Sequence, residues 1–120
     1  MERDNLIKHK SKKFALRIIG LYKYLTKNKR ELVLSKQVLR SGTSIGANIE
    51  EAEGGQSKKD FVAKMYIAYK EARETKYWLE LLQESKYLED IFAESILIDC
   101  EELCKILGKI QLTSNKRKDL

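Results

Sequence analysis

The sequence predicts an all-α fold, an antiparallel up-down-up-down four-helix bundle that forms one domain over residues 1–120. Three observations predict this fold. The chain contains no proline and only six glycines, which favours a few long elements. Apolar residues recur at spacings of three and four along four segments, which places them on one face of a helix. The connections between these segments are short, and short connections make consecutive helices antiparallel neighbours.

The first two helices are predicted over residues 11–28 and from after Ser35 to about Glu53. The first carries an apolar stripe of Phe14, Ile18, Leu21 and Leu25, widened by Ala15, Ile19 and Tyr22. The Ser35 hydroxyl is expected to cap the start of the second helix. Gly54 and Gly55 are expected to end it, since glycine readily takes the left-handed conformation that closes helices.

The third and fourth helices are predicted over residues 58–85 and 88–112. Ser57 and Asp60 have the spacing of a capping box at the start of the third helix. A heptad seam follows, consisting of Phe61, Met65, Ala68, Ala72, Thr75, Leu79 and Leu82. The fourth helix aligns Phe92, Ile96, Cys100, Leu103, Leu107 and Ile110. The ordered core is therefore expected over about 11–112, with basic, polar and frayed tails at both ends.

The stretch "RSGTSIGANIEEAEGG" at residues 40–55 is predicted to be a packing surface rather than a ligand-binding loop. Its small or polar residues on one face are Ser41, Ser44, Asn48 and Ala52, together with Ile45. Gly42 and Gly46 lie on an adjoining face, and each costs about 1 kcal/mol in a helix interior, which calls for a packing reason. A phosphate-binding loop is disfavoured because no Lys-Ser or Lys-Thr pair follows and no strand precedes.

Composition excludes several classes of function. No apolar run approaches the ~20 residues of a membrane-spanning helix, and no export signal is evident, so a cytoplasmic protein without a membrane partner is expected. Cys100 and Cys104 are expected to be reduced, buried and inert, because His9 is the only histidine and a zinc site needs four ligands. We therefore expect no metal and no cofactor.

The scarcity of histidine also argues against an enzyme. Nucleophile–histidine–acid catalysis and a di-iron centre both need histidines that the chain does not supply. Carboxylate catalysis by Glu50, Glu51 and Glu53 stays a distant alternative, with solvated exposure as the simpler interpretation. No catalytic residue and no small-molecule substrate are expected.

Charge is unevenly distributed along the chain. Residues 1–30 carry ten lysines and arginines against Glu2 and Asp4, and residues 89–102 carry six acids and no base. The simpler interpretation is that antiparallel helices present complementary solvated faces. The alternative is a nucleic-acid-binding surface formed by Lys12, Lys13, Arg17, Lys23 and Lys27.

The third helix carries more aromatic surface than one bundle core requires. One stripe consists of Tyr66, Tyr69, Arg73 and Tyr77, about 120° from the heptad seam by helical-wheel geometry. Trp78 and Leu81 lie on the opposite flank. Because tyrosine and tryptophan are enriched at interfaces, we predict that both flanks contact other subunits of a homo-oligomer, while stacking on unpaired bases is the alternative for the first stripe. Two distinct surfaces suit a head-to-tail ring.

The segment "LRSGTSIGANIEEAEGGQSKKDFVAKMYIAYKEARETKYWLELL" resembles the signature of four-helix-bundle proteins first noticed as products of intervening sequences in 23S ribosomal RNA genes. The matching positions are Arg40, Ser41, Ser44, Ile45, Asn48, Ile49 and Glu51. The chain departs from the signature by placing Glu50 and Ala52 around that glutamate and by separating it from Gly54. The resemblance covers about residues 14–110 and implies a four-helix bundle assembled as a ring-shaped homopentamer.

The resemblance and the charge pattern together give two functional hypotheses. One branch of the family resembles the accessory protein of diversity-generating retroelements, a basic pentamer that engages a reverse transcriptase and its RNA, although nothing in this sequence assigns it to that branch. The first hypothesis is a non-enzymatic, self-assembling protein that binds RNA or a nucleic-acid enzyme through a basic surface. The alternative is a purely structural or protein-binding oligomer with no nucleic-acid role.

Overall fold

Four α-helices form an antiparallel bundle in the computed structural model, which describes residues 2–119 and the side chains of residues 5–114. The helices are α1 (Glu2–Lys27), α2 (Leu34–Glu53), α3 (Lys58–Glu84) and α4 (Asp90–Asp119). Residues 2–119 contain no strand, so the predicted all-α bundle is confirmed. Consecutive helices pack extensively, whereas α1 and α4 close the bundle through a sparser contact. None of the described helices is long and apolar enough to cross a membrane.

The outer helices are longer than the apolar pattern predicted. α1 begins at Glu2 rather than at Ser11, and α4 continues to Asp119 rather than ending at Leu112. At the start of α1, Ile7 is fully buried and extends the apolar stripe by one heptad before Phe14. The predicted start at Ser11 is therefore wrong, because a single buried isoleucine among polar residues anchors the additional turns.

The core consists of one apolar stripe from each helix. On α3 the predicted seam is buried from Met65 to Leu82, and Phe61 is half-buried against it. Two predicted core positions need correction, because Ile19 is 37% exposed and Phe92 is 40% exposed. On α4 the buried stripe passes through Ala93 instead, and Phe92, one residue earlier, is rotated by about 100° out of the core.

Glu31, rather than Ser35, caps the start of α2. The Glu31 carboxylate accepts hydrogen bonds from the backbone N–H groups of Val33 at 3.1 Å, Leu34 at 2.9 Å and Ser35 at 2.6 Å. The Ser35 hydroxyl donates back to the Glu31 carbonyl oxygen at 2.7 Å. The predicted cap was wrong because Ser35 lies inside the first turn, where a carboxylate four residues earlier already holds the free amides.

The start of α3 agrees with the predicted cap, whereas the end of α2 differs from the predicted glycine closure. Ser57 accepts a hydrogen bond from the Asp60 N–H at 3.1 Å, as a capping residue of α3 should. Gly54 ends α2 at φ −83°, so the expected left-handed closure is absent there. The left-handed residues of the described backbone are instead Arg30 (φ 54°) and Lys86 (φ 69°), in the first and third connections.

α2 approaches both of its neighbours through small residues. A Cβ atom added at Gly42 would lie 2.8 Å from Ile18 Cγ1 on α1, and one added at Gly46 would lie 3.4 Å from Ser11 Oγ. On the α3 side, Ser41 is fully buried and accepts a hydrogen bond from Thr75 Oγ1 at 2.8 Å. Gly42 therefore lets a side chain of α1 pack directly against the α2 backbone. The Ser41–Thr75 hydrogen bond joins α2 to α3.

We predict opposite effects for alanine at two helical glycines. Gly42→Ala should lower the free energy of unfolding by about 1–3 kcal/mol, since the new methyl overlaps the branched Cβ substituents of Ile18. Gly20→Ala is the matched control, because a Cβ atom there meets nothing within 4 Å, and it should raise stability by up to about 1 kcal/mol. Urea denaturation measures both, and stabilisation by Gly42→Ala would contradict the close approach.

The Glu31 cap makes a second prediction, about pH. Burial alone would raise the pKa of Glu31, but its three backbone hydrogen bonds outweigh that effect and lower the pKa. The cap therefore stabilises the fold above the unfolded-state pKa of about 4.3, and this contribution is lost as pH falls through the lower folded-state pKa. Glu31→Gln should cost about 1 kcal/mol at pH 7. Thermal unfolding from pH 7 to pH 3 should show that cost shrinking in acid, and a constant difference would contradict the assignment.

Candidate nucleic-acid interface

The solvent face of α1 carries four exposed lysines, which we term the α1 basic face: Lys12, Lys13, Lys23 and Lys27. They lie opposite the buried stripe of the same helix, as the helical period requires. The sequence has no carboxylate from Asn5 to Arg30, so no acid of α1 neutralises them over that length. Among the ion pairs of the described side chains, none includes these four lysines.

Arg17, the fifth residue of the predicted nucleic-acid surface, is placed differently. Its Nη1 lies 2.7 Å from Asp99 Oδ2, and its Nη2 donates to Ser95 Oγ at 3.1 Å. Lys10 forms a similar link with Glu102 at 2.8 Å. The two cations join α1 to α4 across the sparse side of the bundle, so Arg17 differs from the four lysines in having an acidic partner among the described side chains.

The carboxylates at the end of α2 also meet lysines of neighbouring helices. Lys8 on α1 lies 2.8 Å from Glu53 and 3.5 Å from Glu50, and Lys64 on α3 lies 3.6 Å from Glu51. The hydrogen bond to Glu53, followed by the charge of Glu50, raises the pKa of Lys8. These pairs explain why acids gather at a helix C-terminus, where the helix dipole disfavours them.

Between α1 and the start of α4 lies a groove with a volume of about 480 Å³. The side chains that give the groove its chemistry are Arg17, Tyr24, Glu89 and Phe92, with Gly20 between them on α1. The Arg17 guanidinium carbon lies 5.7 Å from the centre of the Phe92 ring. The sequence pattern does not reveal this groove, because Phe92 fits the apolar period of the fourth helix and the space above Gly20 depends on how α4 lies against α1.

The first aromatic stripe of α3 is only partly available to another subunit. Tyr66 and Tyr77 are 50% and 55% exposed. Tyr69 packs toward α4, where a Cβ atom at Gly108 would lie 3.4 Å from its ring, and its hydroxyl accepts a hydrogen bond from Arg73 at 3.1 Å. Tyr69 therefore supports the α3–α4 contact, Arg73 is bonded to it along α3, and the exposed aromatic surface of the stripe is that of the other two tyrosines.

The opposite flank of α3 carries a network centred on Arg40 of the sequence signature. Arg40 pairs with Glu71 at 3.0 Å and also with Glu74. The Trp78 indole N–H donates to the Glu74 carboxylate at 3.0 Å, and Leu81 is half-buried beside it along the helix. The network ties α2 to α3, so Trp78 has a partner within the chain.

The remaining residues of the signature lie at helix contacts or at their edges. Ile45 is fully buried in the core of the bundle. Ser44 is half-buried and donates to the Arg40 carbonyl oxygen at 2.6 Å, and Asn48 donates to the Ser44 carbonyl oxygen at 2.8 Å. Both polar side chains are thereby satisfied within α2 itself.

The two cysteines differ in environment. Cys100 is fully buried and its thiol donates to the Ala72 carbonyl oxygen at 3.4 Å, whereas Cys104 is half-buried, which corrects the expectation that both are buried. The interaction with the neighbouring Cys104 thiol, followed by burial, raises the pKa of Cys100, and the interaction with Cys100 lowers the pKa of Cys104. Among the described side chains, no group of three or more acids, cysteines and histidines is placed to hold a metal ion.

Comparison with known proteins agrees with this architecture. The model of a family described as 23S rRNA-intervening sequence protein matches residues 3–109. A crystal structure of a protein with unknown function from the S23 ribosomal protein family of Bacteroides thetaiotaomicron is similar, at 54% sequence identity and a TM-score of 0.89. The alignment covers 91% of this chain and 97% of that chain. A comparison with curated proteins gave no match.

Proposed function

The chain belongs to the family of 23S rRNA-intervening sequence proteins, and we propose that it is a non-enzymatic, self-assembling bundle that binds RNA. The observation that carries this proposal is the α1 basic face, four exposed lysines with no carboxylate partner among the side chains of residues 5–114, on a helix whose Lys8, Lys10 and Arg17 are ion-paired. Lysines presented in this way attract phosphates, because binding releases the counterions condensed on the nucleic acid.

The α1 basic face is a long strip of positive charge flanked by paired charges. Lys12 and Lys27 are about 22 Å apart along the helix, long enough to follow several phosphates. The carboxylates that pair with the other cations of α1 lie on α4 and at the end of α2. An approaching polyanion therefore meets positive charge on the outer face of α1, between flanks whose charges are paired.

Self-assembly is the second part of the proposal. Tyr66 and Tyr77 expose half or more of their surface on α3, and large exposed aromatic side chains are typical of protein interfaces. The family resemblance favours a ring of five subunits. A ring would repeat the α1 basic face around an axis, so that several weak phosphate contacts act together on one RNA.

We predict that removal of the α1 basic face weakens RNA binding specifically. The quadruple variant Lys12→Gln, Lys13→Gln, Lys23→Gln and Lys27→Gln should bind a short single-stranded RNA at least about ten-fold more weakly by fluorescence anisotropy. Its plot of log affinity against log salt should be flatter by about 3, since each phosphate contact on a single strand contributes about 0.7.

The matched control removes the same charge elsewhere, with Lys36, Lys59, Lys105 and Lys109 changed to glutamine. These lysines are exposed and lie on α2, α3 and α4. This control variant should retain most of the affinity for the RNA and most of the slope of log affinity against log salt. Equal losses in both variants would show unspecific attraction by net charge, and no binding by the unaltered protein at physiological salt would favour a purely structural oligomer.

We predict that the protein in solution is a pentamer. Light scattering at physiological salt should give about 70 kDa, since one chain is 14.0 kDa. The double variant Tyr66→Ser and Tyr77→Ser should form smaller particles, because it removes the exposed aromatic contacts. Leu32→Ser, which removes an exposed apolar side chain from the first connection, serves as the control. A mass of 14 kDa for the unaltered protein would contradict self-assembly.

A further inference from the structure

Gly20 is a helical glycine that no packing contact of the described residues requires. Glycine is less favourable than alanine in a helix interior, so a glycine there normally marks a close approach. A Cβ atom at Gly42 would lie 2.8 Å from Ile18, and one at Gly108 would lie 3.4 Å from the Tyr69 ring. A Cβ atom at Gly20 would meet nothing within 4 Å. The space above Gly20 belongs to the groove between α1 and α4.

The groove has the chemistry of a site for a flat π-electron group. Tyr24 and Phe92 expose 37% and 40% of their surfaces, which is unusual for aromatic residues beside a bundle core. The Arg17 guanidinium adds a planar cation, and the Glu89 carboxylate adds a hydrogen-bond acceptor. The volume of about 480 Å³ lies within the range of about 300–1,000 Å³ found for small-ligand sites.

The groove is continuous with the α1 basic face. Lys13 and Lys27 are each seven residues from Gly20, so they lie on nearly the same side of α1, about 10 Å before and after it. Both lysines are exposed. Positive charges about 10 Å before and after an aromatic groove complement phosphates on either side of a base in an extended single strand, and this charge complementarity identifies the occupant as part of a nucleic-acid strand.

We propose that this groove binds one unpaired base of a single-stranded RNA, stacked against Tyr24 and Phe92 above Gly20. Lys13 and Lys27 hold the phosphates on either side, and Glu89 accepts hydrogen bonds from N–H groups of the base. Stacking of bases on aromatic side chains is the usual source of affinity in single-strand recognition. The inference rests on the proposed RNA-binding function and assigns it a base-binding site.

The test fills the groove without disturbing the core. Gly20→Leu places a side chain in open space, so the variant should fold and melt no lower than the unaltered protein. The probe is a short single-stranded RNA with a central 2-aminopurine, whose fluorescence falls on stacking. Gly20→Leu should bind it about ten-fold more weakly and abolish the fluorescence change, with the salt slope unchanged because the lysines remain. The control Ala47→Leu adds a comparable side chain at an exposed site on α2. It should change neither the affinity for the RNA nor the fluorescence change on binding.

A second probe separates this inference from the proposed function. The same RNA with an abasic central nucleotide should bind the unaltered protein about ten-fold more weakly, and should bind Gly20→Leu equally weakly. If both RNAs bind the unaltered protein alike and with lysine-dependent salt slopes, the base site is wrong and the RNA-binding function stands. If neither RNA binds, both proposals fail.

Two other results would assign the groove to a different occupant and overturn the inference. Displacement of the RNA probe by AMP at equal concentration would show a site for free nucleotides. A change in particle mass of Gly20→Leu by light scattering would show that the groove seats a neighbouring copy of the chain.

Discussion

The close approach of α2 to both α1 and α3 is the constraint on which the rest of the bundle depends. Gly42 lets Ile18 of α1 reach the α2 backbone, and the Ser41–Thr75 hydrogen bond joins two fully buried hydroxyls between α2 and α3. These contacts leave little freedom in the relative position of the first three helices, because a methyl group at Gly42 or an unpaired buried hydroxyl would each lower the free energy of unfolding. α4 then packs extensively on α3 and only sparsely on α1.

The bundle is open between α1 and α4 because α4 packs more extensively on α3 than on α1. Where α1 and α4 pack sparsely, ion pairs such as Arg17–Asp99 span the gap, and a groove remains beside them. Exposed ion pairs of this kind contribute little to stability. They neutralise the flanks of α1, whereas the lysines of the α1 basic face lie opposite the buried stripe of that helix and are in none of the ion pairs of the described side chains.

The sequence predicted the elements of this fold because their apolar period is regular, and the seam from Met65 to Leu82 is buried as that period requires. Prediction from the sequence failed where a residue outside the apolar period determines a cap, an ion pair or the exposure of a side chain. Glu31 replaced Ser35 as the cap of α2, because a carboxylate four residues upstream reaches the amides first. The partner of Arg17 and the exposure of Phe92 depend on how α4 lies against α1, which local patterns do not encode.

Native-state amide hydrogen exchange tests the central role of α2 most directly. If its close contacts organise the bundle, the slowest amides should lie around Ile45 in α2 and Ala72 in α3, and they should exchange only on global unfolding. Amides in the second turn of α4, around Ile96, should exchange faster through local opening of the α1–α4 side. Exchange around Ile45 as fast as that around Ile96 would contradict the account.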